Sequence, residues 1–243
     1  MNIPVHWFGG HKGYWDHATL IAALEGKLGT PGRCWTFEDV PTPTNKGLLI
    51  VAGRTFAGNV KAVQDILDCM QWCLLIVMSD EENVFPWKRL RMPARSAVWI
   101  QNPRPGLADG ADRFLGCGVP QGVAEALSIT VANDPQGWYF SGQVNNEDRR
   151  RAAGAMQALG DPFITDGFGQ GAGPREYAQK MCDARVIPSP PGNFTADTFR
   201  THEALEAGRI PLAAARAQFD PTWFDFWTLV YGDPPFPRIT DWG

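Results

Sequence analysis

A chain of 243 residues is long enough for one large α/β domain or two compact ones. Its 44% hydrophobic and 20% charged content excludes disorder as the default state, and a formal net charge of -4 excludes a broad, charge-driven affinity for nucleic acid. No apolar run reaches the roughly 18 residues of a membrane span, and the opening MNIPVHWFGGHKG lacks the basic and apolar stretches of a signal peptide, so a cytoplasmic chain is expected.

Val5 to Gly9 reads as a short strand that runs into the glycine-rich turn Gly9-Gly10-His11-Lys12-Gly13. A helix is predicted from Asp16 to Leu28, with Leu20, Leu24 and Leu28 on one face. Gly47 to Gly53 is a nearly continuous apolar run, as expected of a strand covered on both sides, and the helix after it carries the stripe Val60, Val63, Leu67 and Met70. A second buried strand, Trp72 to Met78, ends in Asp80-Glu81-Glu82, and further strands are predicted at Ser96 to Gln101 and Arg113 to Cys117. Strands alternating with helices indicate a parallel sheet.

Residues 103 to 135 are rich in Gly, Pro, Ala and Asp and read as a junction, which gives an N-terminal lobe at 1–125 and a C-terminal lobe at 126–243. The second lobe opens with a strand at Trp138 to Ser141 and a helix capped by Asn145, whose buried face is Ala152, Met156 and Leu159. The glycine-rich loop Gly167 to Gly173 precedes a helix starting at Pro174. Ala184 to Pro188 is a strand leading into Ser189-Pro190-Pro191-Gly192-Asn193; Asp197 caps a helix ended by Gly208, and Ile210 to Ala213 closes the unit. The aromatic tail, from Trp223 to Trp242, fits a segment packed back over the sheet.

Five scattered cysteines, Cys34, Cys69, Cys73, Cys117 and Cys182, suit thiols in a reducing compartment better than a zinc site. The acidic run at Asp80 is the nearest approach to a metal site, but there is no Asp-x-Asp pair, and arginines with a helix dipole would neutralise phosphate without an ion. No metal and no other cofactor is therefore expected.

The chemistry concentrates between Tyr177 and Ala213. The loop at Gly192 and Asn193 and the helix start at Thr198 would offer backbone N–H groups, and the Arg200 fork would join them in holding a diphosphate. Glu203, one turn on, could accept both ribose hydroxyls; a solvent-facing helix with an Arg200-Glu203 ion pair is the plainer reading of the same spacing.

This stretch, with Ala184-Arg185-Val186-Ile187-Pro188-Ser189-Pro190-Pro191-Gly192 followed by Thr198-Phe199-Arg200-Thr201-His202-Glu203-Ala204-Leu205-Glu206-Ala207-Gly208-Arg209-Ile210-Pro211-Leu212, resembles the donor-binding motif of the exostosin-like glycosyltransferases. More distantly it is similar to other GT-B enzymes. The resemblance covers roughly residues 139 to 213 and departs at Arg209, where the family has cysteine. It implies a compact GT-B-like α/β fold of two Rossmann-like lobes with parallel sheets facing a cleft. It also implies inverting, metal-independent transfer from a nucleoside-diphosphate sugar, with Arg200 on the diphosphate, Glu203 on the ribose, and an arginine from the run Arg149-Arg150-Arg151, of which Arg150 is favoured.

The first lobe would then supply an acceptor pocket and a base, with His11, Asp16, and Asp80 or Glu81 as candidates. The acceptor is open between a glycan, a protein, a small molecule and a modified nucleic-acid base. A catalytically silent nucleotide- or glycan-binding module is the competing reading. An epimerase is disfavoured by the absence of a dinucleotide fingerprint and of a Tyr-x-x-x-Lys pair.

Overall fold

A computed structural model of the chain describes residues 5–8, 20, 23–24, 26–27, 33–35, 46–53, 57–160, 163–165, 170–217 and 224–242. The architecture is mixed α/β with separate parallel sheets, and the chain divides into two compact units, Met1–Gly116 and Cys117–Gly243. Among the described residues no helix is long and apolar enough to cross a membrane.

The first unit is built on a six-stranded parallel sheet of β1 (Val5–Phe8), β2 (Arg33–Trp35), β3 (Lys46–Ala52), β4 (Trp72–Met78), β5 (Arg95–Gln101) and β6 (Arg113–Leu115), in the order β2-β1-β3-β4-β5-β6. The apolar runs predicted in β3 and β4 pair in register from Lys46 with Trp72 to Ala52 with Met78. Because side chains alternate across a strand, such a run must bury both faces. Leu49, Val51, Leu75 and Val77 pack on one side with Val63, Ile66 and Leu67 of helix α1 (Val60–Leu67), while Val5, Leu48, Ile50, Ile76 and Met78 form a second cluster on the other. Of the predicted helix from Asp16 to Leu28, Leu20 and Leu24 are described and pack against that second cluster.

The second unit has a three-stranded parallel sheet of β9 (Val186–Ser189), β10 (Ile210–Ala214) and β11 (Arg238–Ile239), and a two-stranded parallel ladder of β7 (Ser141–Gly142) and β8 (Phe163–Ile164). A parallel bridge from Trp138 to Val186, with Tyr139 N–H donating to the Val186 carbonyl at 3.2 Å, aligns the β7 segment with β9. That bridge lies outside the named strands, and the β7-β8 ladder and the β9-β10-β11 sheet are otherwise separate.

Its helices are α2 (Gln121–Ile129), α3 (Glu147–Gln157), α4 (Pro174–Asp183), α5 (Phe199–Glu206) and α6 (Phe226–Tyr231). α2 lies inside the stretch expected to be a junction: Pro120 stands at its N-cap, where a proline starts a helix rather than breaking one, and Val123, Ala126 and Leu127 pack on Ala178 and Cys182 of α4. The cap of α3 is Asn146, not Asn145, with Oδ1 accepting from the Arg149 N–H at 2.9 Å, and Leu159 falls beyond the helix, 73% exposed. Pro174 opens α4 as expected. Gly208 follows α5 at φ +67°, the left-handed turn that glycine adopts without strain. In the tail, α6 and β11 are elements that the sequence did not signal; Trp227 is fully buried and donates its Nε1–H to the Ala214 carbonyl at 2.8 Å.

Candidate functional site

Helix α5 carries the motif, and its two flanks have different chemistry. On the flank facing β7, Arg200 donates from Nη2 to the Ser141 carbonyl and lays its guanidinium over the Phe140 ring, 4.5 Å from the centroid. A Cβ on Gly142 would clash with Nη2, so the guanidinium keeps this place only beside glycine. The Nε of Arg200 is buried and has no hydrogen-bond partner among the described residues.

Glu203 is 5% exposed and accepts from the Tyr177 hydroxyl at 2.5 Å, so the solvent-facing Arg200-Glu203 ion pair does not form. Burial raises the carboxyl's pKa, and burial with the neighbouring carboxylate pushes the Tyr177 phenol well up. Tyr139 meets Tyr177 edge to face at 5.9 Å.

The other residues expected to bind a donor cluster around the turn after β9. Thr198 exchanges a hydrogen bond with Ser189 Oγ at 2.7 Å, and Thr201 makes another with the same oxygen at 2.7 Å. Gly192 N–H donates to the Thr195 carbonyl at 2.9 Å, and Asn193 Oδ1 accepts from Asn146 Nδ2 at 3.0 Å. Arg149 reaches this turn through Nε to the Pro191 carbonyl at 2.8 Å, whereas Arg150 forms an exposed pair with Glu147 at 3.0 Å. The turn thus brings together Gly192, Asn193, Thr198 and Arg149, and Arg150 stands apart.

His11 and Asp16 lie outside the described residues. Asp80 is 4% exposed, and its two oxygens accept the N–H groups of Val84 at 2.9 Å and Phe85 at 3.0 Å. Burial raises its pKa against the pull of those two donors. A Cβ on Gly53 would lie 2.7 Å from the Asp80 Cβ, so this corner of the first unit also depends on a glycine.

The opposite flank of α5 corrects the expectation that the chain holds no metal. Asp197 does not cap α5; Thr198 occupies that position. The Asp197 carboxylate instead receives Cys117 N–H on Oδ2 at 2.6 Å, while Oδ1 lies 3.4 Å from Cys117 Sγ and 2.7 Å from His202 Nε2. Thiol, carboxylate and imidazole place one ligand atom each within 4.8 Å of the others, an arrangement that could hold a metal ion. Burial lowers the imidazole's pKa, but the charge and hydrogen bond of Asp197 outweigh it and leave the value above that of an ordinary histidine. Trp227 packs 5.9 Å from the imidazole, and the half-exposed Tyr231, whose pKa partial burial and the charges of Asp197 and Cys117 raise, stacks on Trp227.

Sequence reasoning missed this cluster because 80 residues separate Cys117 from Asp197 and because an aspartate before a helix reads as a cap. The one available signal was the pair Asp197 and His202 astride a helix start.

Comparison of the chain with protein-family models, with curated proteins and with solved structures finds no match.

Proposed function

We propose that the chain is a glycosyltransferase that moves a sugar from a nucleoside-diphosphate sugar to an acceptor hydroxyl, and that the carboxyl edge of its second sheet binds the donor. The observation that carries this reading is Arg200: it lies against the end of β7, fixed by Phe140 and the Ser141 carbonyl, with a buried Nε–H that has no hydrogen-bond partner among the described residues. Parallel α/β sheets bind ligands outside the carboxyl ends of their strands, and the bridge from Trp138 to Val186 brings the segment leading into β7 beside β9. The turn at Gly192 and Asn193 and the start of α5 belong to that edge, and N–H groups at a helix start favour phosphate.

In this reading an acceptor oxygen attacks the anomeric carbon, the bond to the phosphate oxygen breaks, and Arg200 with the α5 N–H groups takes up the charge of the leaving diphosphate. The exostosin-like motif and the GT-B architecture belong to the same proposal, as does a cytoplasmic site of action. Glu203 reaches a ribose only if Tyr177 yields its hydrogen bond, so of the two motif residues Arg200 is the firmer contact.

The second reading is a silent nucleotide- or glycan-binding module, and Asp80 favours it. Both oxygens of this candidate base are already engaged by backbone N–H groups.

Calorimetry with UDP, GDP, TDP and ADP tests donor binding, and a turnover screen with the sugar of whichever binds separates the two readings. One diphosphate is expected to bind, with affinity reduced at least tenfold in Arg200→Ala. No binding of any of the four to folded wild-type protein would overturn the transferase and the nucleotide-binding module and leave a glycan-binding module.

A further inference from the structure

The strongest unassigned chemistry in the molecule lies on the flank of α5 that the donor reading does not use. We propose that Cys117, Asp197 and His202 hold one zinc ion, which clips the segment between β6 and α2 onto the start of α5. Residues two apart on a helix point about 200° apart, so His202 faces away from Arg200, and the inference stands whether or not a nucleotide binds there.

Three features argue for an ion. The first is donor chemistry: a thiolate, an imidazole and one carboxylate oxygen form a zinc set, and the sulfur selects against magnesium, calcium and manganese. The second is spacing. Zinc bonds of about 2.0–2.3 Å at tetrahedral angles separate ligand atoms by about 3.3–3.6 Å. Cys117 Sγ and Asp197 Oδ1 are already 3.4 Å apart, and the 2.7 Å contact of His202 Nε2 with the same oxygen must open by about half an ångström to admit the ion. The third is support behind the ligands. Cys117 N–H holds Asp197 Oδ2 at 2.6 Å, leaving Oδ1 to coordinate, and Asp197 N–H is itself tied to Thr195 Oγ1 at 3.0 Å.

The same geometry argues against a nucleophilic cysteine. Such a site needs the imidazole between thiol and carboxylate, so that the ring can take the thiol proton. Here Asp197 Oδ1 contacts the thiol and the imidazole alike, and its charge disfavours a free thiolate. A cation reverses that balance, because zinc deprotonates a coordinating thiol outright. Among the described residues the set numbers three, which leaves a fourth position for water or for another group.

The test uses the full chain. Metal-free protein is titrated with Zn²⁺ and, separately, with Co²⁺, and bound metal is counted by elemental analysis. Expected are one zinc per chain, a thiolate-to-cobalt charge-transfer band in the near ultraviolet, and a melting temperature about 5–10 °C higher at a hundredfold excess of Zn²⁺ over its Kd. Cys117→Ser should abolish the band and Cys69→Ser should leave it.

A variant that fails to fold does not block the test, because wild-type protein can be alkylated with and without Zn²⁺ and its cysteine peptides weighed. Zinc should slow modification of Cys117 at least tenfold and leave Cys69 unchanged. Absence of stoichiometric zinc from wild-type protein, a cobalt band that survives Cys117→Ser, or unprotected Cys117 would each overturn the proposal.

Discussion

The corner at Gly53 and Asp80 in the first unit and the corner at Gly142 and Arg200 in the second are built alike and put to different ends. Each places a glycine at the end of a parallel strand so that a charged side chain can close over the backbone. In the first, the charge is spent inside the protein: both Asp80 oxygens are filled by the N–H groups of Val84 and Phe85. In the second, the guanidinium is fixed by one carbonyl and one ring while its Nε–H has no partner among the described residues. A charge that is positioned but not saturated is what a ligand site requires, whereas a saturated one holds a loop.

The same substitution at the two glycines should therefore have opposite consequences, and the larger effect belongs to the first unit. In Gly53→Ala the new methyl meets the Asp80 Cβ at 2.7 Å and Cγ at 2.9 Å, atoms close to the main chain that cannot swing aside. A stability loss of about 3 kcal/mol is expected, the upper part of the usual range for overpacking. Denaturant unfolding measures it, and a loss below about 1 kcal/mol would show that Asp80 is not locked as described.

Asp80→Asn comes next. The amide can accept only one of the two backbone N–H groups and turns its own NH₂ toward the other, which costs about 2 kcal/mol for a buried donor left unmatched. If Asp80 were a base rather than an anchor, the variant would keep its stability and lose turnover alone. Unfolding and rate measurements on one preparation separate the two.

Gly142→Ala should spare the fold and harm the site. Its methyl would meet Arg200 Nη2, the far end of a flexible side chain, and the strain of moving it is offset by the roughly 0.4–1 kcal/mol that alanine gains over glycine through the unfolded chain. Stability should change by less than about 1 kcal/mol. Displacing the guanidinium from its place over Phe140 should weaken nucleoside-diphosphate binding about tenfold, or about 1.4 kcal/mol. Unchanged affinity would mean that Arg200 is a packing residue.

How much of this was legible in advance depended on whether the signal was local. β3 and β4 stood out because a strand covered on both faces needs an unbroken apolar run, and Pro174 and Gly208 marked helix ends because their backbone requirements are their own. α2 was hidden because Pro120 and the glycines around it mark a loop and a helix start equally well. At the site, Arg200 and Glu203 fall on one helix as their spacing indicated, though not as an ion pair. The spacing could not tell that Tyr177, 26 residues upstream, turns Glu203 inward, or that Asp197 serves Cys117 and His202 rather than the helix end. Side-chain partners chosen by tertiary packing leave no trace in spacing.

The smallest expected effect sharpens the comparison most directly, because each unit contains a buried thiol. Cys73 on β4 is 1% exposed, and burial pushes its pKa up to about 12; Cys182 at the end of α4 is also buried, and burial raises its pKa as well. With a pKa near 12, only about one Cys73 in ten thousand is a thiolate at pH 8, so its alkylation in the native state is negligible and any modification reports opening of the first unit. Gly53→Ala, by destabilising that unit, should raise the Cys73 rate while Cys182 keeps its wild-type rate, and Gly142→Ala should raise neither. Peptide-resolved alkylation at pH 8 reads both thiols in one sample. Parallel acceleration of the two in Gly53→Ala would mean that the units unfold as one body, and the contrast between their corners would then reflect local chemistry within a single cooperative fold.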